Sequence, residues 1–109
     1  MKALIFLALC VSFSFSAHAA DVRCQKQVER DNSTLAKNTH AWAADKARFA
    51  AAIDAGATTM TDNEIDQALN LLNKESTIAF SIMNDTGLWL VLADADSCET
   101  LETFQFSAP

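Results

Sequence analysis

The chain has 109 residues, with eight Lys and Arg against 14 Asp and Glu, and a formal net charge of −6 at pH 7. This acidic balance disfavours nucleic acid as a partner, because the phosphate backbone attracts basic surfaces. With two His and no Tyr, the chain has too few side chains for a catalytic triad or a histidine metal site. We therefore expect no enzymatic activity, no cofactor and no bound metal.

The first segment of the chain has the pattern of a secretory signal peptide. Lys2 gives a positive start, an apolar run follows from Ala3 to Phe15, and Ala17-His18-Ala19 is typical of a signal peptidase site. The run is interrupted by serines and is shorter than the roughly 20 apolar residues of a membrane-spanning helix. We predict that residues 1–19 are cleaved and that residues 20–109 form one small exported domain, periplasmic or secreted, with no transmembrane span.

The chain has three cysteines, and one of them, Cys10, lies in the predicted signal peptide. Export to an oxidising compartment then predicts a disulfide between Cys24 and Cys98, with free thiols or an intermolecular bridge as the alternatives. On the chain-entropy account, closing a loop of about 75 residues disfavours the unfolded state by roughly 4.5 kcal/mol. For a small domain, such a bridge rivals the whole free energy of unfolding.

The segment from Val22 to Ile53 shows helical periodicity. Four apolar residues spaced seven apart form a seam, namely Val28, Leu35, Trp42 and Phe49. This seam predicts that Trp42 and Phe49 are buried, whereas His40 lies away from it and is expected to be solvated. The polar residues 31–34 could interrupt the helix, so the pattern leaves open whether the segment forms one helix or two.

The next helix has a clear start signal. Gly56 is placed to end the preceding helix, and Thr61 with Glu64 three residues later forms a capping-box pattern. A buried stripe then follows at helical spacing, formed by Ile65, Ala68, Leu69 and Leu72.

The period changes to strand spacing from Thr77. Residues 77–82 alternate, residues 84–87 have turn composition, residues 88–93 form an apolar run, and residues 103–106 alternate again. We predict an α+β fold of two helices followed by a three-stranded antiparallel β-meander, stapled by one disulfide. The alternative is an all-α bundle of three to four helices, because residues 88–95 also fit helical spacing.

Three acidic motifs resemble functional sites. Residues 62–66 resemble the start of a calcium loop, but the glycine and the bidentate glutamate of that loop are missing. Asp85-Thr86-Gly87 resembles the core of an aspartic protease, and Asp94 with Asp96 resembles a carboxylate pair. We interpret these motifs as a helix start, a turn and solvated turn acids.

The distribution of charge gives the only directional hint about binding. On a continuous helix over residues 22–54, five basic residues would share one stripe, namely Arg23, Lys26, Arg30, Lys37 and Arg48. The rest of the chain is acidic and ends in Asp94, Asp96, Glu99 and Glu102. Both sets are candidate binding residues, and the alternative for the basic stripe is an ordinary solvated helix face.

Two hypotheses for function follow from these features. The first is a small exported, non-enzymatic binding protein of the inhibitor or immunity type, whose acidic surface covers a basic protein of the cell envelope. The second is an envelope-stress or chaperone-like periplasmic protein that holds many partners loosely. A hydrolytic enzyme ranks third, for lack of catalytic side chains.

Overall fold

The computed structural model describes residues 22–109. Within this range it contains three helices and four strands. These are α1 over 22–31, β1 Trp42–Ala44, α2 Lys46–Asp54, α3 Asp62–Leu72, β2 Thr77–Asn84, β3 Gly87–Asp94 and β4 Thr100–Ser107. The predicted signal peptide, its Cys10 and the predicted start of the exported domain lie outside the described residues. No helix in the described range is both long and apolar enough to cross a membrane.

The four strands form one antiparallel sheet in the order β1-β2-β3-β4. The predicted hairpin is confirmed, with Phe80 opposite Val91 and Asn84 opposite Gly87. The predicted third strand is also present as β4, but it extends over eight residues. The α+β class is therefore confirmed and the all-α alternative is wrong. The predicted count of two helices and three strands is wrong as well, because α1 and α2 are separated and β1 adds a strand.

One face of the sheet is covered by α2 and α3. Residues from both helices pack on inward-facing residues of the strands in a cluster that includes Ile53, Ala68, Leu72, Leu90, Leu92, Phe104 and Phe106. The rings of Phe49 and Phe106 meet edge to face, with their centroids 4.8 Å apart. Burial of this apolar surface is the main force that holds these helices on the sheet.

The other face of the sheet is covered by α1 and the loop that follows it. This second cluster contains Cys24, Val28, Ala41, Phe80, Ile82, Val91, Ala93 and Cys98. The predicted disulfide is present, since Cys24 in α1 is bonded to Cys98 in the β3–β4 connection. The fold thus has three layers, with the sheet in the middle.

The ends of α2 and α3 follow from local chemistry. Asp45 caps α2 by accepting a hydrogen bond from the backbone N–H of Ala47, and Gly56 follows α2 in the left-handed conformation with φ 75°. Thr61 and Glu64 cap α3 reciprocally. The helix stop at Gly56 and the capping box were both predicted and are confirmed.

The prediction of an apolar seam through residues 28–49 is wrong. Helix α1 ends at residue 31, where Asp31 and Asn32 turn their side chains toward Thr100 and Thr103 of β4. Trp42 then lies in a strand and is 59% exposed, although it was expected to be buried. Phe49 is partly buried, so only half of the predicted pair packs against the core.

Candidate functional site

The first two acids of the predicted binding set are Asp94, the last residue of β3, and Asp96 in the connection to β4. The carboxylate of Asp94 accepts hydrogen bonds from the backbone N–H groups of Asp96 at 2.8 Å and Ser97 at 3.0 Å. The bonds from Ser97 and Asp96 lower the pKa of Asp94. Asp94 therefore stabilises the turn that positions Cys98, whose backbone has a positive φ of 65°.

Arg23 of the predicted basic stripe lies against the same turn. Its guanidinium donates to the backbone carbonyls of Ala95 and Asp96. The basic and acidic residues that were predicted to form separate regions therefore meet here, beside the Cys24–Cys98 bridge. The contact helps to position α1 over the sheet, and Arg23 remains exposed.

The other basic residues do not form one stripe. Lys26 and Arg30 lie on α1 and line a shallow open groove together with Glu29. Arg48 belongs to α2, which packs on the opposite face of the sheet. The prediction of a shared stripe is wrong, because it required a continuous helix over residues 22–54.

The remaining two acids, Glu99 and Glu102, are exposed at the start of β4. Leu101 lies between them and is 40% exposed. Farther along the strand, Phe104 and Phe106 point into the core and are 3% and 4% exposed. The structure thus keeps Glu99 and Glu102 together on one margin of the sheet, and it adds an apolar side chain that the charge pattern did not include.

Asp31 extends the acidic character of this margin. Its carboxylate accepts hydrogen bonds from the hydroxyl of Thr100 at 3.1 Å and from the backbone N–H of Thr100 at 3.3 Å. In addition, the amide oxygen of Asn32 accepts from the hydroxyl of Thr103 at 2.8 Å. These bonds tie α1 to β4 and place a third carboxylate at the beginning of the strand. We call Glu99, Leu101 and Glu102 together with the outer edge of β4 the acidic edge.

A second exposed surface was missed by sequence reasoning. Trp42 is 59% exposed and Met83 is 66% exposed, and both lie on the same face of neighbouring strands, since Trp42 pairs with Ser81. His40 is exposed, as predicted, but its ring meets the Trp42 ring edge to face at 5.6 Å. Its Nδ1 also lies 3.2 Å from a carboxylate oxygen of Glu29. We call Trp42 and Met83 the aromatic patch.

A local signal could have revealed the aromatic patch. Asp45 is a favoured N-cap residue type immediately before the nine residues of α2, so a helix that begins there does not continue back through Trp42. The cap thus separates Trp42 from the helical seam and places it in an extended segment.

The three acidic motifs of the sequence can be located in the described part of the chain. Residues 22–109 contain no group of three or more His, Cys, Asp or Glu that could hold a metal ion. Residues 62–66 begin α3, and Asn84 accepts a hydrogen bond from the N–H of Thr86 in the β2–β3 turn. These two acidic motifs therefore have the structural roles that were expected of them.

Comparison of the chain with models of protein families, with curated proteins and with solved structures found no match. The assignment of a function therefore depends on the chemistry of the chain's own surfaces.

Proposed function

We propose that the chain is an exported, non-enzymatic binding protein of the inhibitor or immunity type, which covers a basic surface of another protein in the cell envelope. The observation that supports this proposal best is the acidic edge. Glu99 and Glu102 are exposed there, and within residues 22–109 neither carboxylate forms an ion pair with Lys, Arg or His. Their charge is therefore available to a partner.

The distribution of charge over the layers supports the same proposal. Residues 22–41, which include α1, carry four basic residues against two acidic ones, whereas residues 42–109 carry three against eleven. A domain with an acidic body attracts and orients a basic partner, and this raises the rate of association. The same field repels anionic partners such as nucleic acid.

Leu101 gives the acidic edge an apolar centre. Stable protein interfaces combine a desolvated apolar core with a polar or charged rim, and charges alone contribute little when they stay solvated. Leu101, which is 40% exposed and lies at a register shift between Glu99 and Glu102 in the sequence, supplies an apolar side chain to this edge. The acidic edge therefore suits specific recognition better than a uniformly charged surface would.

Charge reversal at the acidic edge tests the proposal. Mature protein is used to capture partners from the envelope fraction of the native cells, and the affinity of the captured partner is then measured for the wild type and for Glu99→Lys/Glu102→Lys. The matched control is Asp54→Lys/Asp66→Lys, which makes the same charge change at exposed positions of α2 and α3.

We expect the edge variant to bind at least tenfold more weakly, about 1.4 kcal/mol, and the control to change much less. The affinity of the wild type should also fall as salt rises, because exposed charges are screened over about 8 Å at physiological ionic strength. Equal affinities of the edge variant and the wild type, within about 0.5 kcal/mol, would contradict the proposal.

The envelope-stress or chaperone-like hypothesis is favoured by a different observation, the exposed aromatic patch. Exposed clusters of large apolar side chains mark binding surfaces, and those that include methionine adapt to varied partners. A chaperone would hold many proteins loosely, and Trp42→Ala would weaken their binding. An inhibitor would hold one partner at a defined stoichiometry and would depend on Glu99 and Glu102.

A further inference from the structure

The outer edge of β4 is a row of backbone groups with few partners. Among the described residues, β4 pairs only with β3. Two backbone groups of β4 already have partners outside the sheet. The N–H of Thr100 donates to the carboxylate of Asp31, and the carbonyl of Phe106 accepts from the N–H of Thr59 and the hydroxyl of Thr58. An exposed strand edge of this kind is a template for pairing with a further strand.

The strand is held in place firmly enough to act as such a template. Its inward residues Phe104 and Phe106 are buried, and hydrogen bonds from Thr100 and Thr103 to α1 and the residue after it hold its first half. Its pairing with β3 is irregular at Leu101 and Phe106, where the register shifts, and is regular over residues 102–105. That regular stretch presents an extended backbone that is already ordered before a partner binds. This preorganisation lowers the entropic cost of association.

The side chains along the edge indicate what could be added. The strand contains no proline, which would interrupt pairing, and no lysine or arginine, which would repel a basic segment. A second copy of the chain would bring further carboxylates to the same edge, so like charges oppose self-pairing. A segment with basic residues beside Glu99 and Glu102, and an apolar residue beside Leu101, would instead complement it.

We infer that β4 receives an extended basic segment of the partner as a fifth strand of the sheet. This inference rests on the proposed function, and it adds the mode of recognition. The backbone hydrogen bonds of the added strand provide affinity, and the acidic side chains select lysine or arginine in the segment. Pairing is limited at both ends of the strand, because Asp31 already accepts from the N–H of Thr100 and Thr58 and Thr59 already occupy the carbonyl of Phe106.

A designed peptide can test this mode of recognition before the partner is known. The probe is an eight-residue peptide that alternates Lys with Val, matched to the eight residues of β4. Two further versions carry N-methyl groups on every second residue, in one frame or in the other. An added strand directs alternate N–H groups toward the sheet, so methylation in one frame removes the pairing hydrogen bonds and methylation in the other leaves them.

We expect the unmodified peptide to bind the wild-type protein and one N-methylated frame to bind at least tenfold more weakly than the other. A version with Glu in place of Lys should not bind. Saturation with the unmodified peptide should slow amide hydrogen exchange in β4, and Trp42→Ala protein should bind the peptide as the wild type does.

Three results would overturn the inference. These are equal binding of the two methylated frames, unchanged exchange in β4 at saturation, and a dissociation constant for the unmodified peptide weaker than about 1 mM. If the partner still loses affinity for Glu99→Lys/Glu102→Lys in any of these cases, the proposed function stands and only strand addition is wrong. If the two methylated frames bind with different affinities but the charge reversal leaves the affinity for the partner unchanged, the proposed function is wrong.

Discussion

The two edges of the sheet are built in opposite ways. β4 forms an eight-residue edge, and β1 forms an edge of three residues. The long edge points its aromatic side chains, Phe104 and Phe106, into the core. The short edge leaves its aromatic side chain, Trp42, in solvent.

The long edge is also tied to both helical layers. Phe106 packs against Phe49 of α2, and Thr100 and Thr103 are hydrogen-bonded to the end of α1 and the residue after it. The disulfide fixes Cys98 just before the strand begins. At the short edge, Ala44 packs against the cluster under α2 and α3, and the backbone of Ala41 just before β1 is hydrogen-bonded to the side chains of Gln25 and Glu29 in α1.

This difference indicates how a small fold can expose a strand edge without losing its stability. β1 is short, so it offers few backbone groups to a strand of another chain, and short edge strands are a common protection against such pairing. The edge of β4 is longer, and register shifts at Leu101 and Phe106 interrupt its pairing with β3. We therefore expect substitutions that loosen β4 to cost far more stability than substitutions at β1.

Removal of the disulfide should have the largest effect. The bridge spans 74 residues in sequence, so Cys24→Ser/Cys98→Ser should lower the free energy of unfolding by up to about 4.5 kcal/mol. Urea denaturation measures this loss. Because the bridge joins α1 to the start of β4, hydrogen exchange should quicken most in α1 and residues 100–103, and least in α3. A loss below about 1 kcal/mol would mean that the polar contacts alone hold α1 in place.

Alanine substitution of one aromatic residue at each edge compares how much the two edges contribute to stability. Phe106→Ala removes a buried ring and should cost about 3 to 5 kcal/mol, whereas Trp42→Ala should cost less than about 1 kcal/mol because the indole is mostly solvated. Both values come from urea denaturation followed by circular dichroism. Similar losses for the two variants would show that Trp42 has a structural role that its exposure does not indicate.

The close approach of β3 and β4 at Gly87 should be sensitive to a single methyl group. A Cβ at Gly87 would collide with the backbone oxygen of Ser107, and the φ of Gly87 is 129°. Gly87→Ala should therefore cost on the order of 3 kcal/mol or more. Gly56→Ala is the matched control, since its added Cβ meets nothing within 4 Å and only the positive φ opposes it, at about 1 kcal/mol. Thermal melting of both variants should preserve that order, and the reverse order would contradict the register at the end of β4.

Acid should produce the smallest effect, through the turn that precedes β4. Folding lowers the pKa of Asp94, chiefly through hydrogen bonds from the backbone N–H groups of Ser97 and Asp96. This stabilisation is present above the pKa of an unfolded aspartate, about 3.9, and is lost as pH falls through the lower folded value. Asp94→Asn keeps an acceptor oxygen but removes the charge. The wild type should thus be more stable than the variant at pH 7, and the difference should shrink as the pH falls below about 4. A difference that is independent of pH would contradict this role of the carboxylate.

Local signals in the sequence predicted much of the fold. Thr61 and Glu64 cap a helix through contacts within three residues, and the alternation after Thr77 reflects the two faces of a strand. The disulfide followed from counting the cysteines that remain after the predicted signal peptide. Such features depend on neighbouring residues or on composition, so no knowledge of the tertiary structure was needed.

The polar residues 31–34 indicated a possible break, and the structure settles the choice with contacts from distant residues. Asp31 ends α1 and Asn32 follows it, and the hydroxyls of Thr100 and Thr103, which lie 69 and 71 residues later, donate hydrogen bonds to their side chains. Residues 28–49 contain an apolar repeat that fits a continuous helix, although the structure has a helix end, a loop and a strand there. Periodicity alone therefore favoured burial of Trp42. The acidic edge was predicted in part, since Glu99 and Glu102 were chosen by charge, but their separation from Asp94 required the geometry of the turn.

Site-specific photo-crosslinking tests the proposed acidic edge most directly. A photoreactive amino acid is placed at Leu101 in one variant and at Trp42 in another, and each is irradiated in complex with the captured partner. We predict crosslinks to the partner from position 101 and none from position 42, because the proposed binding surface is the edge of β4. Crosslinks from position 42 alone would contradict the proposal and would assign binding to the aromatic patch.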